Sequence, residues 1–321
     1  METNIVVLDG YVANSGDLSW DALARLGKLT VYERTAPDEI AERCTDAEIV
    51  ITNKVVLNAD TIAGLPRLRY VGVLATGYNN VDIAACSERG ITVCNIPAYS
   101  TESVVQTALS LLLELTNNTG GYSQSVRRGD WTACADFSYR LGAITELSGK
   151  TAGIYGLGNI GMRMAGVLHA LGMKIIAFTT KSADKLPQWV EKVSKEDFFG
   201  RADVISLHAP LCADNAGFIN ADTLRLMHPS ALLINTARGG LVDEQALASA
   251  LSEGRIAGAG LDVLQCEPPH ADCPLLSAPN CVITPHVAWQ STEARERLLQ
   301  ICADNVAAFL AGKAINKVNS L

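Results

Sequence analysis

The stretch "TAGIYGLGNIGMRMAGVLHALG", Thr151 to Gly172, decides the reading of the chain. An apolar run ends in a tight glycine turn, and a helical pattern follows at once. Gly156, Gly158 and Gly161 stand in the GxGxxG arrangement. The first glycine permits the turn, the second lets a pyrophosphate approach, and the third lets the helix pack closely on the sheet. Phosphates placed there face free N–H groups at a helix start, where the helix dipole favours an anion. The alternative is a glycine turn with only a structural role, but a strand before it and a helix after it favour dinucleotide binding.

Outward from this unit, short apolar runs alternate with helical patterns, the signature of parallel α/β sheets. The runs are "NIVVLD", "AEIVIT", "RYVGVL", "GITVCN", "TAGIYGLG", "KIIAFTT", "DVISLHAP", "ALLINTA", "AGAGLDVL" and "NCVITPH". Ten strands exceed one ordinary sheet, and their grouping predicts four in the first hundred residues and six in the central half. At 321 residues the chain suits two domains of ~100 to 200 residues each. Between the groups, "STESVVQTALSLLLELTNN" carries Val104, Ala108, Leu111, Leu112 and Leu115 on one helical face, as either a bridge between domains or an ordinary core helix. Near the C-terminal end, "STEARERLLQICADNVAAFLAGK" has the spacing of a helix that returns to the first domain.

Apolar residues make up 48% and charged residues 19% of the chain, which excludes disorder. A net charge of −8 argues against nucleic acid or an anionic membrane as partner, since both need clustered Lys and Arg. "METNIVVLDG" lacks the features of a secretory signal, and the apolar "TALSLLLEL" is short and contains Glu114, so a cytoplasmic protein is expected. The nine cysteines lie at 44, 86, 94, 134, 212, 266, 273, 281 and 302, without CxxC pairs. They read as reduced, mostly buried small hydrophobes, with no metal site.

Arg238 lies just beyond one apolar run, Asp262 and Glu267 beyond the next, and His286 beyond the last, after Pro285. In an open parallel sheet, groups past the carboxyl ends of the strands converge on the crevice that the glycine loop lines. Such a set suits hydride transfer to a 2-keto acid. A guanidinium binds a carboxylate through two parallel hydrogen bonds and polarises the adjacent carbonyl. A protonated imidazole hands the carbonyl oxygen a proton, and a neighbouring carboxylate favours that protonated form. Taken singly, His286 could be structural and Arg238 could pair with Asp243 or Glu244 at the surface; three strand-end positions together favour catalysis.

The apolar run "KIIAFTT" ends where such a chain often places an acid for the adenosine ribose of NAD. Here stand Thr179, Thr180, Lys181 and Ser182 instead. A carboxylate would repel a 2′-phosphate, whereas these groups offer hydroxyls and a positive charge, so NADP is favoured over NAD. The alternative is that the threonines bind the NAD ribose and Lys181 points into solvent.

"GLGNIG", "NTARGGLVDEQAL", "GAGLDVLQCEPP" and "ITPHVAW", together with "GVLATGYNNVD" and "NIPAYSTESVVQTALSLLLEL", resemble the D-isomer-specific 2-hydroxyacid dehydrogenases. The resemblance implies an α/β protein of two doubly wound parallel-sheet domains with a cleft between them. A flavodoxin-like substrate domain would comprise residues 1–99 and 288–321, and a Rossmann-like dinucleotide-binding domain residues 100–287. It also implies a homodimer formed mainly by the cofactor domains. By the same resemblance, Arg238 anchors the substrate, His286 is the acid/base, Glu267 is its partner and Asp262 contacts the nicotinamide amide. The backbone of Ala75, Thr76 and Gly77 receives the substrate carboxylate, although by itself this loop reads as a turn. The other cofactor contacts implied are Asn159, Ile160, His208, Ala209, Pro210, Thr236 and Ala237.

Trp289 in "HVAWQS" and the stretch "NIPAYSTESV" are similar to the glycerate dehydrogenase and hydroxypyruvate reductase branch, and the chain lacks the C-terminal extension common in phosphoglycerate dehydrogenases. Hydroxypyruvate or glyoxylate is therefore expected as substrate, ahead of pyruvate, phenylpyruvate or the 3-phosphoglycerate direction. Lys54 stands either at the pocket mouth or as a solvated lysine. A non-catalytic dinucleotide sensor, like the corepressors that share this fold, is the rival from another class. The complete catalytic set favours the enzyme.

Overall fold

Runs such as Ile49–Thr52 and Leu232–Asn235 are buried along their whole length. Strands of this kind belong inside parallel sheets whose two faces are both covered. A computed structural model describes residues 2–320, and it contains two such sheets. The chain divides into two units, one reaching Ser100 and resuming at Gln290, the other spanning Thr101–Trp289.

The first unit holds β1 (Asn4–Val7), β2 (Lys28–Val31), β3 (Ile49–Thr52), β4 (Tyr70–Val73) and β5 (Thr92–Cys94), in the order β2-β1-β3-β4-β5. All neighbours are parallel. This is the flavodoxin-like order, and because crossovers between parallel strands are almost always right-handed, its reversal of direction at β1 winds the sheet on both faces. The helix Thr292–Leu310 belongs to this unit. Its Phe309 ring lies 4.8 Å from that of Tyr70 in β4, and its Arg295 forms a two-pronged ion pair with Asp17 at 2.8 and 2.5 Å.

The second unit holds β6 (Thr151–Tyr155), β7 (Lys174–Phe178), β8 (Val190–Lys192), β9 (Val204–Leu207), β10 (Leu232–Asn235), β11 (Gly258–Leu261) and β12 (Cys281–Ile283). Their order is β12-β11-β10-β9-β6-β7-β8, again all parallel. Successive residues of one strand enter different cores. Leu233 joins Phe198, Phe199 and Leu247 on one face, while Leu232 and Ile234 join Met164 and Leu168 on the other. The helix Thr101–Asn117 sends Val105, Ala108, Leu111 and Leu112 into that second core and is thus a core helix of this unit.

All ten predicted strands are present, but the sheets hold five and seven strands where four and six were expected. The two additional strands, β2 and β8, are edge strands. Charged or exposed positions dominate both, so neither has the continuous apolar run of an internal strand. The nine cysteines are all free, yet only four are buried, and Cys212 and Cys266 are exposed. Burial pushes the thiols of Cys44 and Cys86 up to about 11 and those of Cys281 and Cys302 up to about 12. Among the described residues, no helix is long and apolar enough to cross a membrane.

Candidate active site

The glycine turn lies at the topological switch point of the second sheet. β6 has β7 on one side and β9 on the other, so the chain leaves it at the crevice where open α/β sheets bind ligands. Gly156 adopts φ +85°, and a Cβ there would stand 2.7 Å from the Ala209 nitrogen. A Cβ on Gly161 would lie 1.9 Å from the Gly156 carbonyl oxygen, whereas one on Gly158 would meet nothing within 4 Å. The helix Asn159–Ala170 starts at Gly158 without a side-chain cap, leaving its first N–H groups to a ligand. These features fit a dinucleotide pyrophosphate. Across the switch point, His208 follows β9, with Nε2 2.8 Å from the Ser206 hydroxyl. Desolvation pushes its pKa down to about 4, so the imidazole is neutral near pH 7. The Thr236 hydroxyl, after β10, is buried without a hydrogen-bond partner among the described residues, a further polar atom suited to a bound group.

Thr179 directly follows β7. Its Oγ1 accepts the Lys181 N–H at 3.3 Å, which turns the backbone at the position of the missing acid. The Lys181 carbonyl in turn accepts Lys192 Nζ at 2.7 Å. Lys192 ends the edge strand β8, whose exposed residues form no apolar run, so no sequence pattern marks it. It brings a second cation to this loop.

Three further strand ends carry the other candidates. After β10, Asn235 folds the turn back on itself: its Oδ1 accepts the Ala237 N–H and its Nδ2 donates to the Arg238 carbonyl, both at 3.0 Å. Gly239 presses against the next loop so closely that a Cβ would lie 1.9 Å from the Leu264 carbonyl carbon. The Arg238 guanidinium donates only to the Ala237 carbonyl, at 2.7 Å, among the described residues. Its pairing with Asp243 or Glu244 is not found. Asp243 caps the helix Glu244–Ser252, and Glu244 accepts the Gln265 N–H.

After β11, buried Asp262 takes three hydrogen bonds from the segment that carries His286. Oδ1 accepts the Thr284 hydroxyl at 2.6 Å and the Val287 N–H at 2.9 Å, and Oδ2 accepts the Ala288 N–H at 2.9 Å. Burial pushes its carboxyl upward, against these hydrogen bonds, which favour the ionised form. His286 has φ +54°, a left-handed conformation that a non-glycine residue seldom adopts. Hydrogen bonds fix it there: its N–H donates to the Asp262 and Thr284 carbonyls at 2.9 and 3.0 Å. The ring is thereby aimed so that Nδ1 lies 2.5 Å from Glu267 Oε2, while Glu267 Oε1 accepts the Leu264 N–H at 3.0 Å. A carboxylate only accepts, so Nδ1 carries a proton and Nε2 is left for chemistry. Trp289, three residues on, is buried.

In the first unit, the loop after β4 has its carbonyls engaged by protein. The Ala75 carbonyl accepts the Ile96 N–H at 3.0 Å, and that of Thr76 accepts Asn95 Nδ2 at 2.7 Å. The N–H groups of Ala75, Thr76 and Gly77 donate to nothing among the described residues. Lys54 follows β3 and is exposed.

Residues 109–288, more than half of the chain, match the NAD-binding domain of the D-isomer-specific 2-hydroxyacid dehydrogenases. The chain belongs to that family. The hydroxypyruvate reductase of Blautia hydrogenotrophica is 42% identical over 319 residues, covering 98% of this chain and 99% of that one. The glycerate dehydrogenase of Methylorubrum extorquens is 45% identical over 292 residues, covering 90% and 91%. Among solved structures, the NADPH-dependent glyoxylate/hydroxypyruvate reductase of Sinorhizobium meliloti, in complex with NADP and malonate, is 30% identical with a TM-score of 0.83, covering 99% and 97%. This D-2-hydroxyacid dehydrogenase is thus an oxidoreductase that pairs a nicotinamide cofactor with a small keto or hydroxy acid.

Proposed function

We propose that the enzyme reduces hydroxypyruvate or glyoxylate to D-glycerate or glycolate, with NADPH favoured over NADH. The observation that carries the proposal is the contact of 2.5 Å between His286 Nδ1 and Glu267 Oε2 at the carboxyl end of the sheet that bears the glycine turn. When bound, the nicotinamide supplies hydride to the carbonyl carbon. Arg238 holds the substrate carboxylate with the guanidinium nitrogens that the Ala237 carbonyl does not take, and polarises the carbonyl beside it. His286 delivers its Nε2 proton to the carbonyl oxygen as charge develops there, and Glu267 stabilises the imidazolium before the proton leaves. The free N–H groups of Ala75, Thr76 and Gly77 receive the carboxylate as well, with Lys54 and Trp289 as further substrate contacts.

Gly156, Gly158, Asn159, Ile160 and Gly161 take the pyrophosphate, and His208, Ala209, Pro210, Thr236, Ala237 and Asp262 line the nicotinamide half. Thr179, Thr180 and Lys181 face the adenosine ribose, and the ammonium of Lys192 on the Lys181 carbonyl supports the preference for a 2′-phosphate. A homodimer is part of the same proposal. Trp131, Phe137, Leu141 and Ile144 leave large apolar side chains exposed along one segment of the second unit, Phe137 to 91%, and a second copy is the partner that would cover them.

The test is a comparison of kcat/KM for hydroxypyruvate, glyoxylate, pyruvate and phenylpyruvate with each reduced nicotinamide. Hydroxypyruvate or glyoxylate with NADPH is expected to lead. Failure to turn over any of the four would remove the proposed reaction, and a strong preference for NADH would remove only the reading of the 2′-phosphate.

A further inference from the structure

The loops that follow β1, β3 and β4 in the first unit are tied together by two side chains outside the machinery described so far. We propose that Asp9 and Asn53 are positioning residues that set the loop Ala75–Gly77 for the substrate carboxylate, an inference that rests on the role given to that loop above.

Asp9 stands two residues beyond β1, and its carboxylate receives three consecutive N–H groups of the loop after β3. Oδ1 accepts from Asn53 at 2.7 Å, and Oδ2 accepts from Lys54 at 2.6 Å and Val55 at 3.1 Å. Only an acceptor with no hydrogens of its own fits so many donors. Asn53 passes the constraint on: its Nδ2 donates to the Leu74 carbonyl at 2.6 Å. The Leu74 N–H donates to the Thr52 carbonyl at 2.8 Å, so the residue before Ala75 is held on both sides by the β3 end.

Further along, the carbonyls of Ala75 and Thr76 are turned towards protein donors, and their N–H groups donate to nothing among the described residues. The chain of contacts runs from a carboxylate at β1, through a side-chain amide at β3, to the start of the loop after β4. Asn53 is buried at 3% exposure, and its Oδ1 has no partner among the described residues. A buried acceptor left without a donor is a cost to the fold. Flipping the amide would not remove it, since Oδ1 would then oppose the Leu74 carbonyl. The side chain is oriented by its grip on Leu74.

Donors that must meet a carboxylate need fixed positions, because a loop held ready in its bound conformation binds without the cost of being ordered first. The experiment compares the full chain with Asp9→Asn and Asn53→Ala. The readouts are KM and kcat for the best keto acid, the Kd of NADPH, the Kd of oxamate with the reduced cofactor present, and Tm. Both variants are expected to raise KM and the oxamate Kd about tenfold, with kcat within about threefold of wild type and the NADPH Kd unchanged. Oxamate binding and KM as in wild type in the folded variants would overturn the proposal. So would an equal weakening of NADPH, which marks general loosening. If Asp9→Asn does not fold, Asn53→Ala decides by the same readouts. A wild-type enzyme that binds neither oxamate nor a keto acid would instead sink the role of the Ala75–Gly77 loop, and with it this inference.

Discussion

Replacing Glu267 with glutamine changes one charge and little else in volume, and its effect can be worked from two of the contacts this residue makes. Oε1 accepts the Leu264 N–H at 3.0 Å, a bond that a glutamine oxygen keeps. That choice turns the amide NH2 towards His286 Nδ1, where Oε2 now lies at 2.5 Å. Nδ1 must then accept, the neutral ring carries its proton on Nε2, and the imidazolium loses its counter-charge. With side-chain exposures of 30% and 37%, the pair is partly screened, so a deep-interior Coulomb energy does not apply. A hydrogen bond to a charged group contributes about 1.5–3 kcal/mol. At ~1.4 kcal/mol per factor of ten, Glu267→Gln should lower kcat about ten- to a hundredfold. The assay is the absorbance of the reduced nicotinamide at saturating keto acid, with cofactor Kd and Tm expected to stay at their wild-type values. A folded Glu267→Gln enzyme with kcat within about threefold of wild type would refute this account of the dyad.

Gly161→Ala would drive a Cβ to 1.9 Å from the Gly156 carbonyl oxygen. The turn must open, and fluorescence titration should show the affinity for both reduced nicotinamides falling about tenfold or more. Lys192→Met removes an exposed ammonium worth about 1 kcal/mol to a phosphate in water. The ratio of kcat/KM for NADPH over NADH should fall about fivefold, most clearly at low salt; an unchanged ratio would exclude Lys192 from cofactor choice. His208 has its pKa depressed from 6.5 to about 4 in the fold. Between these values the unfolded chain binds the extra proton, so stability is fully present above pH 6.5 and is lost as pH falls towards 4. Urea unfolding should show wild type losing about 2 kcal/mol more than His208→Gln between about pH 7.5 and 5, and equal losses would refute it.

The parallel sheets were legible because internal strands such as Leu232–Asn235 are apolar on both faces, and no other arrangement buries both. The edge strands β2 and β8 carry no such mark. Lys28–Val31 is mostly exposed, and Val190–Lys192 has a single buried residue, so they pair through backbone groups that any residue supplies. The dyad was legible as residue types at strand ends, but the conformation that aims it was not. The φ of +54° at His286 depends on Asp262, a carboxylate 24 residues earlier in sequence, whose grip on Val287 and Ala288 leaves no local pattern. Lys192 and Asp9 escaped for the same reason. Each acts on a loop far from it in sequence, 11 residues away for Lys192 and 44 to 46 for Asp9, and charged residues of this kind look like solvated surface until the topology brings the loops together.

The first sheet is completed from the far end of the chain. Asn319 accepts the Val93 N–H and donates to the Ile91 carbonyl, and the Val318 N–H donates to the Val93 carbonyl, closing contacts over 226 and 228 positions. The second unit needs no such reach, since its residues are contiguous from Thr101 to Trp289. During synthesis, which runs from the N-terminus, the glycine-turn unit can therefore finish folding while β5 still has a bare edge. Closing so long a loop is slow, and an uncovered strand edge is prone to wrong pairing in the meantime. The order of assembly is thus inverted relative to the order of translation: the unit begun first is the one completed last.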